Sequence, residues 1–252
     1  MKSILNYYMK QIFYILLFLT LTTSCKQRYE INGNATLIGL EGKKLFLRAL
    51  QKNQWVNLDS TDIVHCEFKM KGNVDSTIMA ALFLDNQNIM PIVLEKGNIK
   101  VNIDNSEITA YGTMLNNTLY EYIYRKNEIE LEYEELNKNR ALRMFEGHLS
   151  RNTQRDLMDQ FDRLELKMQR LTDSFIQRNY DNVLGPNLFM MSYGNTNYPL
   201  LTPEIKEIME KAPERFKNNY HEKYFISKAR ENMRRQNQNN NPISIEHNAL
   251  WQ

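Results

Sequence analysis

Residues 107–136 read EITAYGTMLNNTLYEYIYRKNEIELEYEEL, and the periodicity of the chain changes inside this one stretch. As far as Gly112-Thr113 the residues read as the end of a series of short strands. Beyond Met114 the apolar positions Leu115, Leu119, Tyr122, Ile129, Tyr133 and Leu136 recur at alternating steps of four and three, with Lys126 the one polar interruption. A strand sends successive side chains to opposite faces, whereas a three-to-four spacing lines them along one side of a helix. The chain therefore reads as α+β, with a β domain over 29–113 and a helical region over 114–232.

Upstream, the segments ATLIGL, KLFLRAL, WVNLDS, CEFKMKG, TIMAALFLD, MPIVLEKG and NIKVNID follow one another with turn residues between them. In CEFKMKG, Cys66, Phe68 and Met70 alternate with Glu67, Lys69 and Lys71, which predicts a half-buried strand with Cys66 in the core. Gly97-Asn98 stands where a tight hairpin turn is expected. Strands at this spacing predict an antiparallel sandwich or barrel.

Downstream, Leu157, Phe161, Leu164, Met168, Leu171 and Phe175 form a second stripe of the same period, so the economical packing of two long helices is an antiparallel hairpin, with the seams satisfied within one chain or by a second copy. Asn152 or Thr153 is the expected cap of the second helix. Further on, Thr202-Pro203 is a strong helix start. The segment RRQNQNNNP is poor in apolar residues, and 233–252 reads as a polar tail that does not order itself.

The N-terminus carries Lys2, Lys10 and no acid before the apolar run Ile12 to Leu21 and the small polar cluster Thr22, Thr23, Ser24. About 10 apolar residues at roughly 1.5 Å each cover about half of a ~30 Å hydrocarbon core, so the segment reads as a signal peptide over 1–24. Ser24 immediately before Cys25 resembles a bacterial lipobox, with Thr22 where an aliphatic residue is preferred. That resemblance implies lipidation of Cys25, a short tether over 25–28, and anchoring to a membrane. Lys26-Gln27-Arg28-Tyr29-Glu30 has no aspartate behind the cysteine and no acidic cluster. By likeness to lipoprotein sorting signals, this implies the periplasmic face of the outer membrane.

Of 32 basic residues, Lys2 and Lys10 fall in the signal, leaving the mature chain as rich in bases as in its 30 acids. A nucleic-acid footprint is therefore not expected. About 228 residues remain, enough for one large core or two small ones. With Cys25 acylated, Cys66 is the other cysteine, and neither an internal disulfide nor a C-x-x-C pair is available.

The segments YEINGNATLIGLEGKKLFLRAL, VNLDSTDIVHCEFKMKGNV, PIVLEKGNIKVNI and AYGTMLNNTLYEYI, in that order, resemble the N-terminal domain of unknown function that precedes a thioredoxin-like module in many Bacteroidetes lipoproteins. Asp59-Ser60, Leu94-Glu95-Lys96-Gly97 and Gly112-Thr113 with Asn116 carry the likeness. The C-terminal NMRRQNQNNNPISIEHNALWQ lacks cysteine, so the family's redox chemistry transfers to no residue here. A turn glycine expected before the Phe68 strand is replaced, with Cys66-Glu67-Phe68 in its place.

Candidate chemistry is sparse. His65 and Cys66 are adjacent, and on a regular strand they would point to opposite faces. His148, His221 and His247 match no metal-ligand spacing, and Glu128, Glu132 and Glu135 read as a solvated helix face rather than an acid/base pair. Asp59-Ser60-Thr61 and Asp75-Ser76-Thr77 resemble the O-glycosylation sequon of exported Bacteroidetes proteins, making Ser60 and Ser76 candidate modification sites. The expectation is a non-catalytic, cofactor-free, metal-free lipoprotein that binds a partner, with an accessory of thiol–disulfide exchange as the alternative. Its expected partners are the membrane through Cys25 and either a second copy or another envelope protein. The contact is expected over residues 115–180, with Lys126, Lys138 and Lys167 within crosslinking reach.

Overall fold

The computed structural model describes residues 27–51, 54–147, 150–194 and 196–240. Residues 1–26, with Cys25 among them, His148, His247 and the chain from residue 241 lie outside them. The chain divides into two compact units at Thr113/Met114.

The first unit holds eight strands: β1 (Gln27–Ala35), β2 (Lys44–Gln51), β3 (Gln54–Asp62), β4 (Glu67–Val74), β5 (Ile78–Leu84), β6 (Gln87–Leu94), β7 (Gly97–Ile103) and β8 (Ile108–Tyr111). They form two four-stranded sheets, β4-β1-β7-β8 and β3-β2-β5-β6, which do not close into a barrel. Alternation supplies the core: Ile31, Leu45, Leu47, Phe68, Met70, Leu82, Ile92, Ile99 and Val101 are all buried. Burying such side chains stabilises by about 1.5–3 kcal/mol each, which makes this core the main support of the unit.

Two aromatic–glycine pairs lock the β1/β4 register. Gly33 faces Phe68, and Tyr29 faces Gly72. A Cβ on Gly33 would stand 2.0 Å from the Phe68 ring, and one on Gly72 would stand 2.7 Å from the Tyr29 hydroxyl. Each ring occupies the space its partner leaves, so a one-residue slip would collide both rings with side chains.

Three features of this unit depart from the sequence reading. First, β1 pairs parallel with β7 while its other edge pairs antiparallel with β4; alternation specifies a face but not a strand direction. Second, Gly97 is no hairpin turn. β6 and β7 belong to different sheets, and Gly97, at φ 136°, opens β7 after a two-residue crossing. Third, Cys66 is half-exposed and outside the core. With His65 it forms the turn between β3 and β4, at φ 53° and 61°, where the two-residue geometry demands positive φ at both positions. The Glu41 carboxylate accepts hydrogen bonds from both turn amides at 2.9 Å, and these hold its carboxyl below the ordinary carboxylate value.

The second unit contains α1 (Met114–Phe145), α2 (Arg151–Arg178), α3 (Leu184–Phe189) running into a π-helical turn (Met190–Gly194), α4 (Pro203–Lys211), the single turn α5 (Glu214–Lys217) and α6 (Tyr220–Asn240). Ser150 caps α2, accepting from the Thr153 amide at 3.2 Å; the cap is thus two residues before Asn152. Thr202 caps α4 with Pro203 at its first turn. The polar tail starts later than 233, because α6 continues to Asn240. Arg and Gln are good helix formers, and a helix already nucleated by packed turns propagates at little cost.

The α1/α2 hairpin follows the two stripes. Tyr122 stacks on Phe175 at 4.5 Å and shares a 3.2 Å hydrogen bond with Thr172. Farther along, Tyr133 meets Phe161 edge-on at 5.0 Å, and Arg140 lies 5.2 Å over the same ring. The seam is not dry along its length. Phe161, Leu164, Met168 and Leu171 are half-buried, and Tyr133 is 45% exposed, since two helices alone cannot enclose a seam that a third element does not cover. Phe161→Ala is therefore expected to cost about 1–2 kcal/mol, below the ~3–5 kcal/mol of a fully buried phenylalanine. Urea denaturation of the variant measures this; a loss above that range would mean the seam is closed in solution.

Beyond the hairpin, Ile176, Tyr180, Phe189, Ile205, Ile208, Ala212, Phe216 and Phe225 form the second core. Tyr180 donates to the Ile208 carbonyl at 2.6 Å, and burial pushes its phenol up to about 12.

Candidate interaction surface

The hairpin carries exposed apolar side chains along both helices, among them Leu131, Leu142, Phe145, Met158 and Leu166, with Phe145 92% and Leu131 64% exposed. Scattered single exposures are ordinary on a surface; here they follow one another along one helical pair. Between the helices lies a groove of about 480 Å³ bounded by Leu136, Asn139, Arg163 and Leu164 among others, and it is where the half-wet seam opens.

The charges of this segment are partly spent on one another. Lys167 reaches across to Glu132 at 2.6 Å, Arg125 pairs with Glu121 at 2.6 Å, and Lys126 pairs with Glu130 one turn on. Turning toward Glu130 lets Lys126 sit half-buried in the seam without parting the helices. Glu128, Glu134, Glu135 and Lys138 have no side-chain hydrogen bond or ion pair among the described residues. Glu132 is held by Lys167, so it does not form a free carboxylate pair with Glu135.

The other sequence candidates are not brought together. Ser60 is exposed on β3, an edge strand, where its amide donates to Asp59 at 2.8 Å. Ser76 is exposed in the turn between β4 and β5. The His65 and Cys66 amides are engaged with Glu41, and no group of three or more His, Cys, Asp or Glu residues among those described could hold a metal ion. Among the described residues no helix is long and apolar enough to cross a membrane.

One group escaped sequence reading. Glu222, in the first turn of α6, is 1% exposed, and neither carboxylate oxygen has a hydrogen-bond partner. Burial pushes its carboxyl up to about 7 from an ordinary 4.5. The signal was present: Glu222, Phe225, Ala229 and Asn232 recur at three-four-three spacing, and all four are buried.

A two-sheet β unit followed by a helical unit with a long hairpin defines the class: α+β. Residues 29–119 match the family model described as Domain of unknown function (DUF4369). This supports the N-terminal domain of unknown function expected from the order of the motifs, and it runs from Tyr29 in β1 to Leu119 in α1. No curated protein matches the chain.

Proposed function

We propose that this protein is a lipoprotein anchored through Cys25 to the outer membrane, facing the periplasm, and that it acts as a non-catalytic interaction module through its helical hairpin. The observation that carries the reading is the set of exposed apolar side chains along α1 and α2, on a pair of helices whose seam is already half-wet. Covering a surface of this kind lowers the free energy of the system. The signal-like N-terminus ending at Ser24-Cys25 supports the tether. Acylation at about 0.8 kcal/mol per buried methylene would hold the chain at the bilayer once more than one acyl chain is attached.

Cys25→Ser is expected to remove the anchor. In a detergent phase separation the wild type should enter the detergent phase, and the variant should enter the aqueous phase or keep its signal uncut. Identical partitioning of the two proteins would dismiss the lipoprotein reading.

A further inference from the structure

We infer that the partner of the hairpin is a second copy of this chain, whose α4–α6 groove receives the outer face of α1; this rests on the hairpin reading above. The groove has a volume of about 930 Å³. Its floor is Leu201, Met209 and Ile226, all packed partly exposed against the second core. Its rim is basic. Lys206, Lys223, Arg230 and Arg234 have no side-chain hydrogen bond or ion pair among the described residues. Of the rim carboxylates, Glu231 is held by Lys228 at 3.1 Å and Arg235 at 2.6 Å, and Glu214 by Lys217 at 3.4 Å, which leaves Glu210.

On α6 the groove residues Lys223, Ser227, Arg230 and Arg234 step by four, three and four, a single row roughly 16 Å long at ~1.5 Å per residue. On α1, Tyr124, Glu128 and Leu131 step by four and three along the side away from the seam, and Glu135, four residues on, stands at the border of the α1/α2 groove. Tyr124 and Leu131 are 65% and 64% exposed, and Glu128 and Glu135 are without ion pairs among the described residues. An apolar knob flanked by carboxylates thus matches, in pitch and in length, an apolar floor flanked by guanidinium and ammonium groups. Arg is suited to such carboxylates because its planar fork binds them in two bonds. Both surfaces are exposed within one chain, so they do not cover each other there, and a second copy offers the complement. Each copy offers both halves, and a two-fold pair would use each of them twice.

The experiment uses the full-length lipoprotein in its membrane, with a photoreactive residue at position 131. The expected product is a crosslinked homodimer whose adduct maps to residues 206–234. Arg230→Glu with Arg234→Glu should lower the yield at least tenfold, and a co-expressed Glu128→Lys, Glu135→Lys copy should restore it, which also shows that the reversed protein is folded. A homodimer indifferent to the charge reversals overturns the groove as receptor. Crosslinks solely to a different protein overturn the second copy but leave the hairpin as the contact surface. No crosslink from the hairpin removes both readings.

Discussion

Glu222→Met is expected to stabilise the helical unit at pH 8 by on the order of 3 kcal/mol relative to wild type, over and above any difference seen at pH 4. In the folded chain burial lifts this carboxyl to about 7, against 4.5 when exposed. Between those values the folded state holds a proton that the unfolded state has released. The group's contribution is complete below about pH 4.5, declines as pH rises toward 7, and is lost above it. No basic group offsets the charge: burial raises this carboxyl and its own backbone amide alone opposes that, and an unpaired buried charge is costly. Urea titrations followed by helical circular dichroism at pH 4, 6 and 8 measure the effect. Parallel stability profiles for wild type and variant would show that Glu222 reaches water or a partner in solution.

Phe189→Ala is expected to cost about 4 kcal/mol, near the upper range for a buried aromatic truncation. Its side chain is fully buried, and its ring sits 5.5 Å from Tyr193, 5.7 Å from Phe216 and 5.5 Å from Phe225. It therefore joins α3, the π-helical turn, α5 and α6, and the cavity it leaves would have no single neighbour able to fill it. Phe145→Ala is the contrast, expected to stay within about 0.5 kcal/mol because that ring is in water. Similar losses for the two variants in the same denaturation series would mean the second core is not where these contacts put it.

Much of this architecture was readable in the residues, and its failures have distinct causes. The switch at Thr113/Met114 was legible because it changes a period, which local sequence carries directly. The stripes on α1 and α2 put Tyr133 and Phe161 on one seam, where the two rings meet. They could not show that the seam stays half-wet, because dryness depends on what else covers it. The parallel β1/β7 pair depends on contacts between residues nearly 70 positions apart, and alternation is blind to direction. Cys66 looked like strand because it continues the alternation of Phe68 and Met70 and is not a usual positive-φ residue; the turn is supported instead by Glu41, 24 and 25 positions away.

The proposed contact surface is half legible in the sequence. Residues 115–180 are the part least needed to close the β core, and the exposed Leu131 and Phe145 lie within them. The basic groove was hidden. Lys206 and Arg230 lie in different helices, and the face they share is created when α4 and α6 pack on the second core. Glu222 was hidden for the opposite reason: a glutamate among His221, Lys223 and Tyr224 looks solvated until the Phe225–Ala229 stripe is extended back by one turn.

The central claim is that the hairpin, rather than the β unit, carries the contact. The most direct measurement places a photoreactive residue at Leu142 or Phe145 on the hairpin, and at Trp55 on the β3 edge, in the membrane-bound protein of intact cells. The account predicts a discrete crosslinked product from the hairpin positions that an excess of unlabelled protein suppresses, and none from Trp55. A competed product from Trp55, with the hairpin positions silent, would contradict it and move the contact to the β unit.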